Sequence, residues 1–437
     1  MPYLKNISFS SQCEDFIIKN PFRNPITHQY VLESHSIKPI EEFSCPHCNS
    51  KWIHLNKTYT RSIKGSPFSP DTSTKIKTKV RSFECQNCKR VFSEDIPFLY
   101  PNTRISTGLA AWIKELLTFC SVSTISKLFG VHWQTVKNIH KKLITTTLKE
   151  RRARLIKYGY RPKFLGVDEF AIHKGHTYAT LVMDLETGEV LWVGKGKRIV
   201  DFRKFFDEID PVLLSQVKAV AMDINAVFNK VFSEKLPNVT IVYDRYHMEA
   251  NYSREVMGAV RLDTARQFKK LAQDPTLTKE EKEDYTKRYT LLKGARWMLI
   301  TKGLGTQDVN GKWNSSNDKL EDILNRHQDI ALCYAMKEEM SSIYAETDVA
   351  KARERWERWF DTADVSNIGP LVKFSKNKRE RLEGLIAHAK YAISTARVEG
   401  TNNKIKVLKR MAYGYRDDDY FFSLIRYMTI PGNSLLP

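Results

Sequence analysis

Three short apolar runs in one region of this chain each carry an aspartate at or near the carboxyl end. They are residues 164–170 (FLGVDEF, with Asp168), 217–223 (VKAVAMD, ending on Asp223) and 239–244 (VTIVYD, ending on Asp244). Runs this hydrophobic read as buried strands, and a carboxylate there must be paired, hydrogen-bonded or metal-bound. A lone aspartate at a strand end is ordinarily a helix cap or a turn former. Three of them in one region of alternating strands and helices point to a metal site.

The rest of the sequence says what such a site would act on. Lys and Arg number 70 against 50 Asp and Glu, a formal charge of +20, which predicts a polyanionic partner, with nucleic acid in first place. The 437 residues exceed what one hydrophobic core organises, so several domains are expected. No stretch has the length and apolarity of a membrane span, and the first residues lack the apolar core of a signal peptide. The expected location is the bacterial cytoplasm, in association with the nucleoid. Seven cysteines in a reducing compartment point to metal rather than disulfides.

Four of those cysteines form two CxxC knuckles, Cys45 with Cys48 and Cys85 with Cys88. Each can give two thiolates to a tetrahedral Zn²⁺, and four together make a closed structural site. The stretch between them is long for a zinc ribbon, with strand-like alternation on both sides of a polar loop around residues 65–74, so a ribbon with an extended hairpin is expected. Cys13, Cys120 and Cys333 are isolated and read as small buried apolar residues. Residues 106–120 have helical spacing. Residues 123–129, the turn at Gly130 and residues 133–140 then read as a helix-turn-helix, whose second helix enters a major groove. In that reading Gln134, Thr135, Lys137, Asn138 and Lys141 face DNA, while Val131, Val136 and Ile139 pack inward. The basic run 149–157, which includes Arg152, reads as a connector able to track phosphates.

From residue 160 the elements run βββαβαβ, the order of an RNase H-like fold. In that fold the first and fourth strands are neighbours, which brings Asp168 beside Asp223. Adjacent carboxylates repel unless cations neutralise them, and paired divalent metals are the usual arrangement for phosphodiester displacement. Hard oxygen ligands favour two Mg²⁺ or Mn²⁺ ions. A third carboxylate from a nearby helix is expected, and residues 390–410 supply Glu399, with Asn402, Asn403 and Lys406 placed on one helical face with it. Asp184 reads as a turn former, and Glu169 points away from Asp168 across the strand.

The segments VDEFAIHKG, YDRYHM and ARVEGTNNKIKVLKRMAYGYRD, with the MD after the fourth strand, resemble the DDE transposases of the ISL3 insertion-sequence family. The resemblance covers nearly the whole chain, since that family also begins with a cysteine-pair zinc finger and a helix-turn-helix. It implies that Asp168, Asp223 and Glu399 are the catalytic triad and that Asp244 and His247 form a supporting D-x-x-H signature. It also implies that a helical insertion precedes Glu399 and that the partners are the element's terminal inverted repeats and target DNA; separately, the Glu399-x6-Lys406 spacing resembles part of a signature of another transposase family, whose upstream Tyr and Arg do not align here, and Lys406 reads as a cation for a DNA phosphate. Bringing two ends together calls for a homodimer or larger assembly on double-stranded DNA. The organisation expected is a zinc-finger region over 1–100, a helix-turn-helix over 101–150, an RNase H-like core over 151–255 and 386–437, and a helical insertion over 256–385. Within the insertion, Trp297 reads first as a core residue and second as a ring able to stack on an unpaired base near a cleaved end, and residues 373–381 read as a basic run suited to phosphates or to solvent. Two other functions share these features: a catalytically silent DNA-binding regulator and an RNase H-like nuclease that never joins strands.

Overall fold

The computed structural model describes residues 15–19, 22–67, 72–173, 177–300 and 315–432, and the chain divides into two compact units at Glu150 and Arg151. The amino-terminal unit holds strands β1 (Phe16–Ile18), β2 (Phe22–Arg23), β3 (Gln29–Ser36), β4 (Ile53–Gly65), β5 (Ser73–Cys85) and β6 (Val91–Ser93). They form one sheet in the order β1-β3-β5-β4, with β2 on β3 and β6 on β5. The expected extended hairpin is β4 and β5, antiparallel from Ile53 opposite Cys85 to Gly65 opposite Thr74. Alternation along β5 buries Thr74, Ile76, Thr78 and Val80, which is why this strand can run through 13 residues with one polar face.

Helices α1 (Thr107–Leu116), α2 (Val122–Phe129) and α3 (Trp133–Lys157) follow. Ser106 and Ser121 cap α1 and α2 by accepting from the Leu109 and Thr124 amides. Gly130 takes the left-handed conformation that ends α2, with φ of 55°. The basic run 149–157 is not a connector: it continues α3, because from Trp133 to Lys157 neither glycine nor proline interrupts the series, and its second half is rich in Lys, Leu and Arg.

The second unit contains a five-stranded sheet, ordered β11-β10-β7-β8-β9. Strands β7 (Phe164–His173), β8 (Thr177–Asp184) and β9 (Val190–Lys195) are an antiparallel meander, while β10 (Ala219–Met222) and β11 (Thr240–Tyr243) join β7 in parallel. Between them lie α4 (Ile199–Glu208), α5 (Pro211–Leu214) and α6 (Ala226–Lys235). Phe202, Phe205, Phe228 and Phe232 from α4 and α6 are fully buried and pack in one apolar cluster with Leu165 and Val167 of β7. That burial removes the apolar faces of sheet and helices from water together, which fixes the strands that carry the acids.

After β11 the described residues up to 386 are helical: α7 (Arg245–Tyr252) first, then, in the expected insertion, α8 (Gly258–Leu271), α9 (Lys279–Gly294), α10 (Arg296–Ile300), α11 (Ser315–Arg326), α12 (Gln328–Ile343), α13 (Val349–Val365), α14 (Gly369–Arg379) and α15 (Leu382–Ile386). A π-helical turn at Ser253–Met257 links α7 to α8. The last helices are α16 (Ala396–Met411) and α17 (Asp418–Met428). Trp297 is not in the core: α10 is a short helix that buries Leu299, leaving the indole 68% exposed beneath the Arg296 guanidinium, 5.5 Å from its ring. Residues 373–381 are mostly the end of α14, where Phe374 and Lys378 are buried and Arg379 pairs with Asp361 and Asp364. Cys333 is buried as expected and Cys120 partly so, whereas Cys13 lies outside the described residues.

Candidate active site and metal centres

The parallel register aligns Val167 of β7 with Met222 of β10, and Met222 with Tyr243 of β11. The next residue on each is an aspartate, so Asp168, Asp223 and Asp244 form a row across three neighbouring strands; Asp223 and Asp244 follow the ends of β10 and β11, whereas Asp168 is inside β7, which does not end on its aspartate but runs on to His173 in pairing with β8. Their surroundings then give them different work. Asp244 is buried and both its oxygens are engaged: Oδ1 accepts from the Tyr246 and His247 amides as the cap of α7, and Oδ2 accepts from the Thr395 amide at 2.9 Å. It therefore ties the start of α7 to the start of α16.

Asp168 has one oxygen turned to the Glu169 amide at 2.7 Å and the other to the Asn402 side-chain amide at 2.7 Å. Burial pushes its pKa up, and the neighbouring Asp223 and Glu399 charges push the same way. Asp223 accepts from the Ile224 amide at 2.6 Å and faces His247, whose Nδ1 lies 3.6 Å from Oδ2. The other ring nitrogen of His247 is 3.7 Å from Oε1 of Glu399. The imidazole thus stands between the second strand-end acid and the helix acid. The oxygens of Glu399 and Asp244 and a His247 nitrogen lie mutually within 4.8 Å.

Glu399 reaches the row because α16 comes unusually close to β7. A β-carbon at Gly166 would lie 2.6 Å from both Val398 and Leu185, so the glycine is what allows the helix to sit there. Arg397 fastens the same helix to the β8–β9 turn by donating to the Glu186 carbonyl at 2.6 Å. That turn is held by Asp184, which is fully buried and accepts from Tyr160, Thr187 and the Glu186 amide. Glu169 lines an open cleft with Lys197, Arg198 and Asn225, and accepts from the Asn225 side-chain amide at 2.9 Å.

The expected common face on α16 splits. Asn402 is buried against Asp168, while Asn403 and Lys406 are exposed and bond to each other at 3.1 Å. Positions three and four beyond Glu399 flank it on opposite edges of the helix, and only one edge meets the sheet. The role of Asn402 is the feature that sequence reasoning missed, although its i+3 spacing from Glu399 was the available signal.

Hard carboxylate oxygens of this kind suit divalent ions of the Mg²⁺ or Mn²⁺ type; the ligand atoms that lie mutually within 4.8 Å are those of Asp244, His247 and Glu399, with Asp223 3.6 Å from the His247 ring and Asp168 held by Asn402. Two observations fit such a group. Asp168 carries a pKa raised in part by neighbouring like charges, and Asn402 Oδ1 is buried with no hydrogen-bond partner among the described residues.

The four cysteines converge in the amino-terminal unit. Cys45 and Cys88 sulfurs are 3.6 Å apart, as are those of Cys48 and Cys85. Tetrahedral zinc with Zn–S bonds of about 2.3 Å sets sulfurs about 3.8 Å apart, so the cluster fits that ion. The two knuckles are built alike. In each the first sulfur accepts from a backbone amide, of His47 or Cys88, and a residue with positive φ follows the second cysteine, Asn49 at 56° and Lys89 at 57°. A backbone hydrogen bond at Ser50 and the Asn87 amide hold the Cys48 thiol down, at about 6.

In the helix-turn-helix, Val131, Val136 and Ile139 are buried in one apolar cluster with Ile125 and Leu109. Gln134 and Asn138 are exposed on α3 and bonded to each other at 2.9 Å, Thr135, Lys137 and Lys141 are half-buried, and the Lys137 ammonium lies over the Trp133 ring. Farther along α3, Arg151 pairs with Glu189, and the exposed Arg152 donates to the Glu208 carbonyl.

Residues 165–425 match a family model described as transposase, of the DDE type of family ISL3, and residues 94–144 match the helix-turn-helix domain of transposase family ISL3. The chain is 30% identical over 390 residues to the transposase for insertion sequence element IS1001 of Bordetella parapertussis, covering 89% of each. It is 23% identical over 332 residues to the transposase for insertion sequence element IS1557 of Mycobacterium tuberculosis, covering 74% of this chain and 70% of that one.

Proposed function

The chain belongs to the ISL3 family of transposases, and on that premise we propose that it binds the terminal inverted repeats of its insertion sequence and cuts and joins DNA at one carboxylate site. The observation that carries this reading is the register of Val167 with Met222, which puts Asp168 beside Asp223, together with His247 set between Asp223 and Glu399. The antiparallel meander followed by two parallel strands supports an RNase H-like core interrupted by the helical insertion.

In this reading Asp168, Asp223 and Glu399 hold two Mg²⁺ or Mn²⁺ ions, which when bound supply the positive charge that a phosphodiester displacement needs. The chain's own residues build the site. Asn402 orients Asp168, Asp244 fixes the start of α16, and Gly166 lets that helix bring Glu399 towards the acids on the strands. His247 lies between two of the acids, where it holds them in place. The cysteine cluster holds structural zinc, and α3 presents Gln134, Thr135, Lys137, Asn138 and Lys141 to the major groove, with Arg152 and Lys406 on phosphates. Two ends require at least a homodimer on DNA.

The test is a duplex carrying the element's end, incubated with the purified protein and Mg²⁺. A transposase yields a cleaved end and its joining to a target plasmid. Binding without cleavage favours a silent regulator, and cleavage without joining favours a nuclease. No described helix is long and apolar enough to cross a membrane.

A further inference from the structure

The outward face of β5 carries Lys75, Lys77 and Lys79 in strict alternation with the buried Thr74, Ile76, Thr78 and Val80. Across the hairpin these lysines are in register with Lys64, Ser62 and Thr60 of β4, so hydroxyls and a fourth cation flank the row. On the other side Glu33 of β3 is registered with Lys77, and no ion pair joins them among the described residues. The row is therefore a net positive ridge. Side chains on one face of a strand recur every ~6.8 Å. Along the duplex axis each DNA strand presents a phosphate every ~3.4 Å, so the lysine repeat matches two axial steps.

The ridge is tied to the helix-turn-helix by the residue that ends it. Lys64 donates its backbone amide to the Arg104 carbonyl at 2.8 Å and accepts from the Ser106 amide, the cap of α1, at 2.8 Å. Its side-chain ammonium donates to the Gly130 carbonyl at 3.0 Å, in the turn between α2 and α3. The face bearing the lysines is thus continuous with the turn that aims α3.

We infer that this sheet face is a second DNA-contacting surface, a sequence-independent clamp on backbone phosphates beside the groove read by α3. The occupant is double-stranded DNA, by charge complementarity and by the connection through Lys64 to the helix-turn-helix. The inference rests on the proposed end-binding and assigns a purpose to the long hairpin between the cysteine pairs, which a zinc site alone does not need.

The test compares the full chain with a Lys75→Gln/Lys77→Gln/Lys79→Gln variant, titrating fluorescent duplexes of end sequence and of random sequence over a range of salt. The substitutions lie on the outward face of the sheet, and zinc content and thermal melting check that the fold is kept. Each phosphate contact contributes about 0.9 to the slope of log affinity against log salt, so the slope should fall by about 2 to 3 on both duplexes, with the preference for end DNA unchanged. An unchanged slope, or a loss confined to end DNA, overturns the inference. Gln134→Ala/Asn138→Ala should do the reverse, losing end preference and keeping the slope. If the wild type shows no preference for end DNA, the end-binding reading fails, while the slopes on random duplex still decide the lysine face.

Discussion

Asn402 donates its side-chain amide to the Asp168 carboxylate at 2.7 Å, across the junction between the first strand and the helix that carries Glu399. The bond orients one acid of the proposed triad from the element that supplies another. Residues that orient metal ligands typically matter by about 10- to 100-fold in metal affinity or activity. Asn402→Ala should therefore raise the Mn²⁺ concentration needed for half-maximal cleavage by about that factor, and weaken Mn²⁺ binding followed by electron paramagnetic resonance in parallel. Unchanged Mn²⁺ binding would remove Asn402 from the site.

Gly166 makes a second prediction. The added methyl of Gly166→Ala meets Val398 and Leu185 at 2.6 Å, so α16 has to move away from β7. Overpacking of this kind costs about 1 to 3 kcal/mol, and the displacement carries Glu399 away from the strand ends. Thermal melting should fall and cleavage should fall further than the loss of folded protein accounts for.

Zinc removal should act on the amino-terminal unit alone. The wild type should contain one zinc ion per chain and Cys85→Ser none, as read by atomic emission. The substituted protein should lose DNA binding and the compact β4–β5 hairpin in hydrogen exchange, while the second unit keeps its protection. Zinc retained by Cys85→Ser would contradict the four-cysteine site.

Acid should weaken the helix-turn-helix through His140. Burial lowers its pKa from 6.5 to about 4, so the folded chain keeps the ring neutral while the unfolded chain takes up a proton. The stability this residue allows is intact above pH 6.5 and is lost as the pH falls towards about 4, a drop of about 3 kcal/mol. Urea unfolding of His140→Leu across that range should show the loss reduced, and an equal loss in both proteins would refute the assignment.

The acids on the strands were legible because an aspartate in or just after an apolar run is expensive unless it has a task, and the order of elements placed the first and fourth strands side by side; that β7 continues past Asp168 to His173 was not. What each acid does was less legible. Asp223 and Asp244 follow equally apolar runs, and only the packing of α7 and Thr395 makes Asp244 a cap with both oxygens engaged. Asn402 and Asn403 are equivalent in helical spacing until Gly166 decides which edge of α16 meets the sheet. The run 149–157 looked like a linker because charge says nothing about helix length, while the absence of a breaker did. Trp297 looked like core because a large apolar side chain carries no direction, and the short α10 buries Leu299 instead.

The central claim is that Asp168, Asp223 and Glu399 act as one site on DNA bound elsewhere on the chain. Asp168→Asn, Asp223→Asn and Glu399→Gln should each bind a labelled duplex of the element's end as the wild type does. In Mg²⁺ each should cleave it at least about 10³-fold more slowly, the size of effect expected when a group at the reacting centre is removed. Cleavage at the wild-type rate by any one of the three would contradict the account.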